Sequence, residues 1–165
     1  MPLASPWEDQ THRVSHIELV LSEIKADTGQ TGAGFSYTVG VGGRAIQAMI
    51  DWYVAPRLIG TVVAPRLRWQ EMWSAVHDAG GGGISTMALA ALDIALWDLA
   101  AKERNQPLVE LLRQFRQSIP AYASDINLNL DEKQLEEQVR RQIDAGCDAV
   151  KIKVGKPDLG RTWIG

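Results

Sequence analysis

Ala149-Val150-Lys151-Ile152-Lys153-Val154-Gly155 alternates apolar and cationic side chains, and a period of two is the mark of a β-strand. In such a strand Val150, Ile152 and Val154 share one face while Lys151 and Lys153 share the other. An isolated Lys-x-Lys pair reads most simply as a solvated strand that guards a sheet edge. The residues upstream argue for more. Asp131 with Gln134 makes a capping-box start, Leu135, Val139 and Ile143 recur at helical spacing, and Gly146 stops the helix. A further strand is expected over residues 119–124. The order strand, helix, strand calls for a right-handed parallel crossover. Parallel sheets are covered on both faces, which would turn both lysines inward, where an unpaired ammonium is costly and is kept for a use.

With 165 residues and a formal charge of -3, the chain is long enough for a buried core and two small domains. No stripe of Lys and Arg is interleaved with aromatics, so nucleic acid is not an expected partner. Residues 87–101 are the most apolar stretch, but Asp93 and Asp98 interrupt them, and the start of the chain has no basic-then-apolar signal pattern. A cytoplasmic protein with no membrane partner is the expectation. The single cysteine, Cys147, forms no intrachain disulfide and reads as a small packing residue beside a helix-ending glycine.

Residues 1–14 carry Pro2, Pro6 and Trp7 without periodicity and read as a loop. Residues 15–26 alternate as a strand that ends at Asp27-Thr28-Gly29, and residues 33–39 return as its partner. After Gly40-Val41-Gly42-Gly43, residues Ala45, Ile46, Met49, Ile50 and Tyr53 predict one apolar helix face, closed by Pro56. Gly40, Gly42 and Ala45 formally fit a dinucleotide fingerprint. That motif needs a parallel unit and an acidic residue about 20 positions on, whereas the strand here is hairpinned and residues 56–70 contain no acid. Trp69, Met72, Trp73 and Val76 read as a core-packing stripe, His77 as a hydrogen-bond partner at a helix end, and Gly80 to Gly83 as a flexible connector. Ser85 is the expected cap of a long helix through Lys102, apolar nearly all round and therefore buried. Asp93 and Asp98, five residues apart, lie about 140° around that helix. They read as separate buried anchors and not as a carboxylate pair. The pentapeptide Val-Ala-Pro-Arg-Leu occurs at Val54 and again at Val63.

The run Ala90-Ala-Leu-Asp-Ile-Ala-Leu-Trp-Asp-Leu-Ala-Ala-Lys, then Gln106-Pro-Leu-Val-Glu-Leu-Leu, Pro120-Ala-Tyr-Ala-Ser and Ala149-Val-Lys-Ile-Lys-Val-Gly resemble the mandelate racemase and muconate lactonizing enzyme group of the enolase superfamily. The resemblance runs from about Trp7 to Leu159. It implies an α+β capping domain, a β-hairpin plus a helical bundle, over residues 1–117 with its first strand apparently missing. Residues 118–165 would then begin a (β/α)8 TIM-like barrel with its first βαβ unit and stop after the second strand. Chemistry in such barrels sits at the carboxyl ends of the strands.

By the same resemblance Lys153 corresponds to the general base and Lys151 to its companion. An ordinary lysine has a pKa of about 10.4 and is protonated at neutral pH, so a lysine base needs a neighbouring ammonium and partial burial. The target is the proton α to a substrate carboxylate, with Mg²⁺ holding the resulting enediolate; enolase-superfamily sites are a worked example of this chemistry. Ser124 is an implied substrate contact. Residues 7–15 and 37–44, with Trp7, Tyr37, Thr38 and Arg44, match the mobile capping loops that set specificity. Phe35-Ser-Tyr-Thr-Val-Gly-Val-Gly-Gly-Arg-Ala is most similar to acid-sugar dehydratases. Racemases and cycloisomerases share the enediolate and stay open, as does an inactive remnant that acts only through partners.

The family's metal-binding carboxylates belong to the third, fourth and fifth barrel strands, so no acid of this sequence is assigned to the metal. The expectation is a truncated chain, inactive by itself, whose full-length form binds a small acid sugar and is a homo-oligomer. Family members continue after Pro-Asp-Leu with Glu-Asp-Leu-Asp-Arg, and GAG GAC CTG GAT CGG read one base late encodes Arg-Thr-Trp-Ile-Gly, the sequence from Arg161 to Gly165. A frameshift near Gly160 is therefore expected.

Overall fold

The computed structural model describes residues 1–8, 13–124 and 128–155. His12 and the residues from Lys156 onward, where the frameshift is expected, lie outside the described residues. The chain divides into two compact units, Met1 with Ile17–Phe115, and Pro2–His16 with Arg116–Gly165.

The first unit starts with strands β3 (Glu18–Lys25) and β4 (Thr31–Thr38), an antiparallel hairpin in unbroken register from Glu18 opposite Thr38 to Lys25 opposite Thr31. Gly29, at φ 85°, makes the turn as expected. A period of two defines two faces without saying which is covered. The structure buries Ser22 with Gly32, Gly34, Ser36 and Thr38, and half-buries Val20 and Ile24 on the same face. Leu19 and Leu21, opposite Tyr37 and Phe35, stand on the outer face, where Leu21 is 72% exposed.

The small face is a packing requirement. Helix α3 (Ile84–Glu103) lies directly on β4. A β-carbon on Gly34 would overlap the Ala91 carbonyl oxygen and sit 2.6 Å from the Ala95 nitrogen. One on Gly32 would overlap the Ala95 oxygen and sit 2.6 Å from the Leu99 β-carbon. Glycine in the strand thus marks a close backbone approach.

On its other sides α3 packs Ala88, Leu89, Leu92 and Leu96 against Ile46, Ile50, Val54, Met72 and Val76. By length and composition α3 could span a membrane, but it is the buried helix of this core. Its amino end differs from expectation. Ser85 lies within the first turn, and its hydroxyl donates to the carbonyls of Gly80 and Gly82, so the Gly80 to Gly83 connector is tied to the helix. The cap position is Gly83, with φ 57° and no side-chain cap.

Helix α1 (Gly43–Met49) continues into a π-turn, Ile50–Val54, in which the Ala55 N–H donates to the Ile50 carbonyl. This wider turn rotates the following residues. Val54 is buried in place of Tyr53, which is 60% exposed, and Ala45 also faces outward. Helix α2 (Pro65–Val76) buries Pro65, Arg68, Met72 and Val76. Met72 and Val76 of the expected stripe are core, and Trp73 is half-buried against it, whereas Trp69 is exposed and stacks on Trp73 at 5.9 Å. Both copies of Val-Ala-Pro-Arg-Leu start a helical turn with proline in its first residues, Pro56 at Ala55–Arg57 and Pro65 at α2. His77 lies 3.1 Å from the Ser74 carbonyl through Nδ1, the expected hydrogen-bonding role. Helix α4 (Leu108–Leu111) follows Pro107.

In the second unit, residues 2–8 and 13–14 are strand where a loop was expected. Strand β1 (Pro2–Glu8) pairs antiparallel with β2 (Arg13–His16), Trp7 opposite Val14, with an irregularity between Pro2 and Trp7. The two prolines and this irregularity erase the period-two signal, so pairing and not pattern defines the strand. Strands β5 (Ala123–Ser124) and β6 (Val150–Lys151) are parallel, joined through α5 (Glu132–Asp144).

Asp93 and Asp98 differ in kind. Asp98 accepts from the Ala33 N–H at 2.8 Å and from Lys102 Nζ at 2.7 Å, and Lys102 also donates to the Thr31 carbonyl at 3.0 Å. Burial pushes the Asp98 carboxyl up, but the bonds from Lys102 and Ala33 outweigh it and hold the group below the usual carboxylate value. Asp93 is no anchor: its Oδ1 is buried with no hydrogen-bond partner among the described residues, and burial pushes its carboxyl up.

Gly34→Ala should lower the free energy of unfolding by about 3 kcal/mol, whereas Gly82→Ala, where an added β-carbon meets nothing within 4 Å, should change it by less than about 0.5 kcal/mol; urea titration separates them. A lowered folded pKa contributes stability above the ordinary carboxylate range, lost as pH falls through the lowered value; a raised one contributes stability below that range, lost as pH rises through the raised value. Asp98→Asn should therefore cost about 1 kcal/mol at pH 7, a deficit that closes on acidification. Asp93→Asn should match or exceed the parent by up to about 1 kcal/mol at pH 7, an advantage that closes on acidification; thermal melts from pH 7 to pH 3 test both signs.

Candidate active site

The candidate chemistry is set by how β5 and β6 are brought side by side. Asp131 caps α5 through the Gln134 N–H at 2.8 Å, and the Gln134 side chain accepts from the Asp131 N–H at 3.1 Å, a complete capping box. At the other end Gly146 takes φ 89°, and the Cys147 N–H reaches the Gln142 carbonyl at 3.1 Å. This six-to-one bond turns the chain sharply into β6. Both helix ends are therefore written locally.

The parallel ladder itself is short. Ala123 stands opposite Val150 and Ser124 opposite Lys151, and the Ala123 N–H donates to the Ala149 carbonyl at 2.9 Å. Strands were expected over 119–124 and 149–155; the pairing covers two residues of each. Ser124 and Lys151 thus become neighbours at the carboxyl ends of adjacent parallel strands, and Lys153 follows two residues on. The enclosed interior is not observed: Lys151 is exposed and Lys153 half-buried, while Ile152 and Val154 are also exposed. Two paired positions carry too little surface to enclose a side chain, and closure of a whole barrel is what buries strand residues on both sides.

In the other unit the loop candidates separate. Tyr37 stands on the exposed outer face of β4, whereas Thr38, 7% exposed, lies on the inner face. The Thr38 hydroxyl donates to Glu18 Oε2 at 2.9 Å, so it holds the hairpin and does not face a ligand. Arg44 is exposed in the first turn of α1 and lines a groove of about 470 Å³ with Glu18, Gln47 and Asp51. Trp7 is in β1, and its side chain is outside the described residues. Glu18 escaped the sequence reading because an acid at a strand start looks like ordinary surface polarity. Its one signal was a position two residues after His16 that the hairpin register places opposite Thr38.

Among the described residues no three His, Cys, Asp or Glu side chains converge as metal ligands. These residues do not fit a magnesium site, and no step below passes through one.

An α+β hairpin-and-helix unit followed by a parallel strand–helix–strand crossover defines the class: an amino-terminal capping domain joined to the start of a (β/α) barrel. The profile of the mandelate racemase / muconate lactonizing enzyme N-terminal domain matches residues 1–113, and the chain belongs to this family. It is 38% identical over 161 residues to the 3,6-anhydro-alpha-L-galactonate cycloisomerase of Streptomyces coelicolor, covering 96% of this chain and 45% of that protein. Among solved structures, a racemase from Streptomyces coelicolor A3(2) with bound magnesium superimposes with a TM-score of 0.91 at 38% identity, over 97% of this chain and 45% of that one. L-talarate/galactarate dehydratase from Salmonella typhimurium LT2, liganded with Mg and L-lyxarohydroxamate, gives 0.88 at 28% identity, over 98% and 43%. The chain spans less than half the length of these relatives. The family is one of magnesium-dependent enzymes whose members include acid-sugar dehydratases and cycloisomerases.

Asp131→Ala removes the capping acceptor and should destabilise α5 by about 1 kcal/mol. Faster amide exchange across Glu132–Asp144, with α3 unchanged, is the expected reading.

Proposed function

We propose that this chain is the amino-terminal part of an acid-sugar dehydratase, in which Lys153 removes the proton α to the substrate carboxylate. The observation that carries the reading is the placement of Lys151 and Lys153 at the carboxyl end of a parallel strand, with Ser124 opposite Lys151 in the ladder. Two cationic side chains there attract a carboxylate substrate. Within that attraction the roles divide: the exposed Lys151 supplies charge, and the half-buried Lys153 is the amine that takes the proton. Ser124 offers a hydroxyl to the substrate.

Loss of a β-hydroxyl would follow proton removal in a dehydratase. The likeness to a cycloisomerase favours a second outcome from the same carbanion: its electron pair forms a C=C bond as the ring oxygen on the β-carbon leaves, which opens the ring and keeps that oxygen in the product. Product analysis separates the two, since dehydration yields a 2-keto-3-deoxy acid and cycloisomerisation releases no water.

In a polypeptide that continues through the remaining barrel strands, with Mg²⁺ present, the α-proton of galactarate should exchange with D₂O, as followed by proton NMR. Lys153→Ala should slow this exchange about a thousandfold; exchange at the parent rate would remove Lys153 from the role of base. The 165-residue chain alone should show none.

A further inference from the structure

The loop between the hairpin and α1 is held at both ends by one oxygen atom. Glu18 opens β3 and Thr38 closes β4, and the register sets them opposite each other. Glu18 Oε2 accepts from Thr38 Oγ1 at 2.9 Å and from the Gly43 N–H at 2.8 Å. Between Thr38 and Gly43 lie Val39, Gly40, Val41 and Gly42, of which Val41 is 80% exposed and both glycines have positive φ, 92° and 108°. Gly43 begins α1, whose first N–H groups lack partners inside the helix, and Gly42 gives no side-chain cap. The Glu18 carboxylate supplies that cap from another element. It also leaves no room at residue 43, where an added β-carbon would come within 2.9 Å of the Glu18 β-carbon.

We propose that Glu18 is a positioning residue: its carboxylate latches residues 39–42 by bonding Thr38 and Gly43 at once. The loop then cannot open as a free lid and swings only when both bonds to Oε2 break. The assignment rests on the proposed function for its purpose, since in an enzyme of that class the resemblance makes residues 37–44 a specificity loop. Its mechanics stand without it. A charged acceptor with two donors is among the stronger hydrogen-bonding arrangements, which suits a loop that must keep one shape while two glycines allow many.

The test is amide hydrogen exchange, read by mass spectrometry on the 165-residue chain. In Glu18→Ala, residues 39–44 should exchange about tenfold faster or more, with α3 protection within about twofold of the parent. Glu18→Gln keeps an acceptor oxygen at the same reach and should recover most of the protection, whereas Glu18→Met, of similar length but without an acceptor oxygen, should not, a split that a space-filling role would not show. Parent-like exchange of residues 39–44 in Glu18→Ala, or no difference between the Ala and Gln variants, overturns the latch. Should Glu18→Ala lose α3 protection, Thr38→Val decides: it removes one of the two bonds at constant size, and faster loop exchange with α3 intact supports the latch, whereas no change overturns it. Lys153→Ala should leave loop exchange at the parent level, so failure of the base assignment and failure of the latch are read separately.

Discussion

The contact between strand β4 and helix α3 is made backbone to backbone, and the rest of the first unit is arranged around it. Gly32 and Gly34 face Ala91, Ala95 and Leu99 with no space for a β-carbon at either glycine. Such close approach brings many atoms into dispersion contact at once. It also dictates what the sheet can place on its inner face. Ser22 and Ser36 are small, so the inner face stays shallow and the larger Leu19, Leu21, Phe35 and Tyr37 are turned outward. Polar ties reinforce the same seam, with Asp98 and Lys102 of α3 bonding the Ala33 N–H and the Thr31 carbonyl at the start of β4.

Once α3 is seated, its remaining surface fixes the other helices. Leu89, Leu92 and Leu96 meet Ile46, Ile50 and Val54 on one side and Met72 and Val76 on the other. The π-turn at Ile50–Val54 follows from this demand, because a regular helix would bring Tyr53 toward the core in place of Val54. A turn with one extra residue resolves the mismatch locally. The hairpin register has a further consequence at its open end. It places Glu18 beside Thr38 and within reach of Gly43, so the loop carrying the specificity candidates inherits its geometry from the core seam.

The second unit is organised by helix ends more than by burial. The capping box at Asp131 and the turn at Gly146 deliver the chain from β5 to β6 in parallel register. The ladder they produce is two pairs long, enough to set Ser124 against Lys151 at the strand ends. The same crossover belongs to a family that includes a 3,6-anhydro-alpha-L-galactonate cycloisomerase and an L-talarate/galactarate dehydratase seen with Mg and L-lyxarohydroxamate.

Much of this was readable from residue order alone. The Lys151-x-Lys153 alternation, the Asp131–Gln134 box, the Gly146 stop, the Asp27-Thr28-Gly29 turn and the apolar run from Met87 onward are local signals, each set by dihedral preference, capping or periodicity within a few residues. They defined the hairpin, the long buried helix, the parallel crossover and the family resemblance. What the order of residues did not contain is which of two faces is covered, since periodicity names the faces and the neighbour chooses between them. That choice was made at Gly34 against Ala91, residues 57 apart in the chain. The same holds for β1, which exists by pairing with β2, for the displacement of Tyr53 by Val54, for the exposure of Lys151, and for the two bonds of Glu18. Each depends on atoms brought together only when α3 meets the sheet or strands meet each other, and local preference carries no record of them.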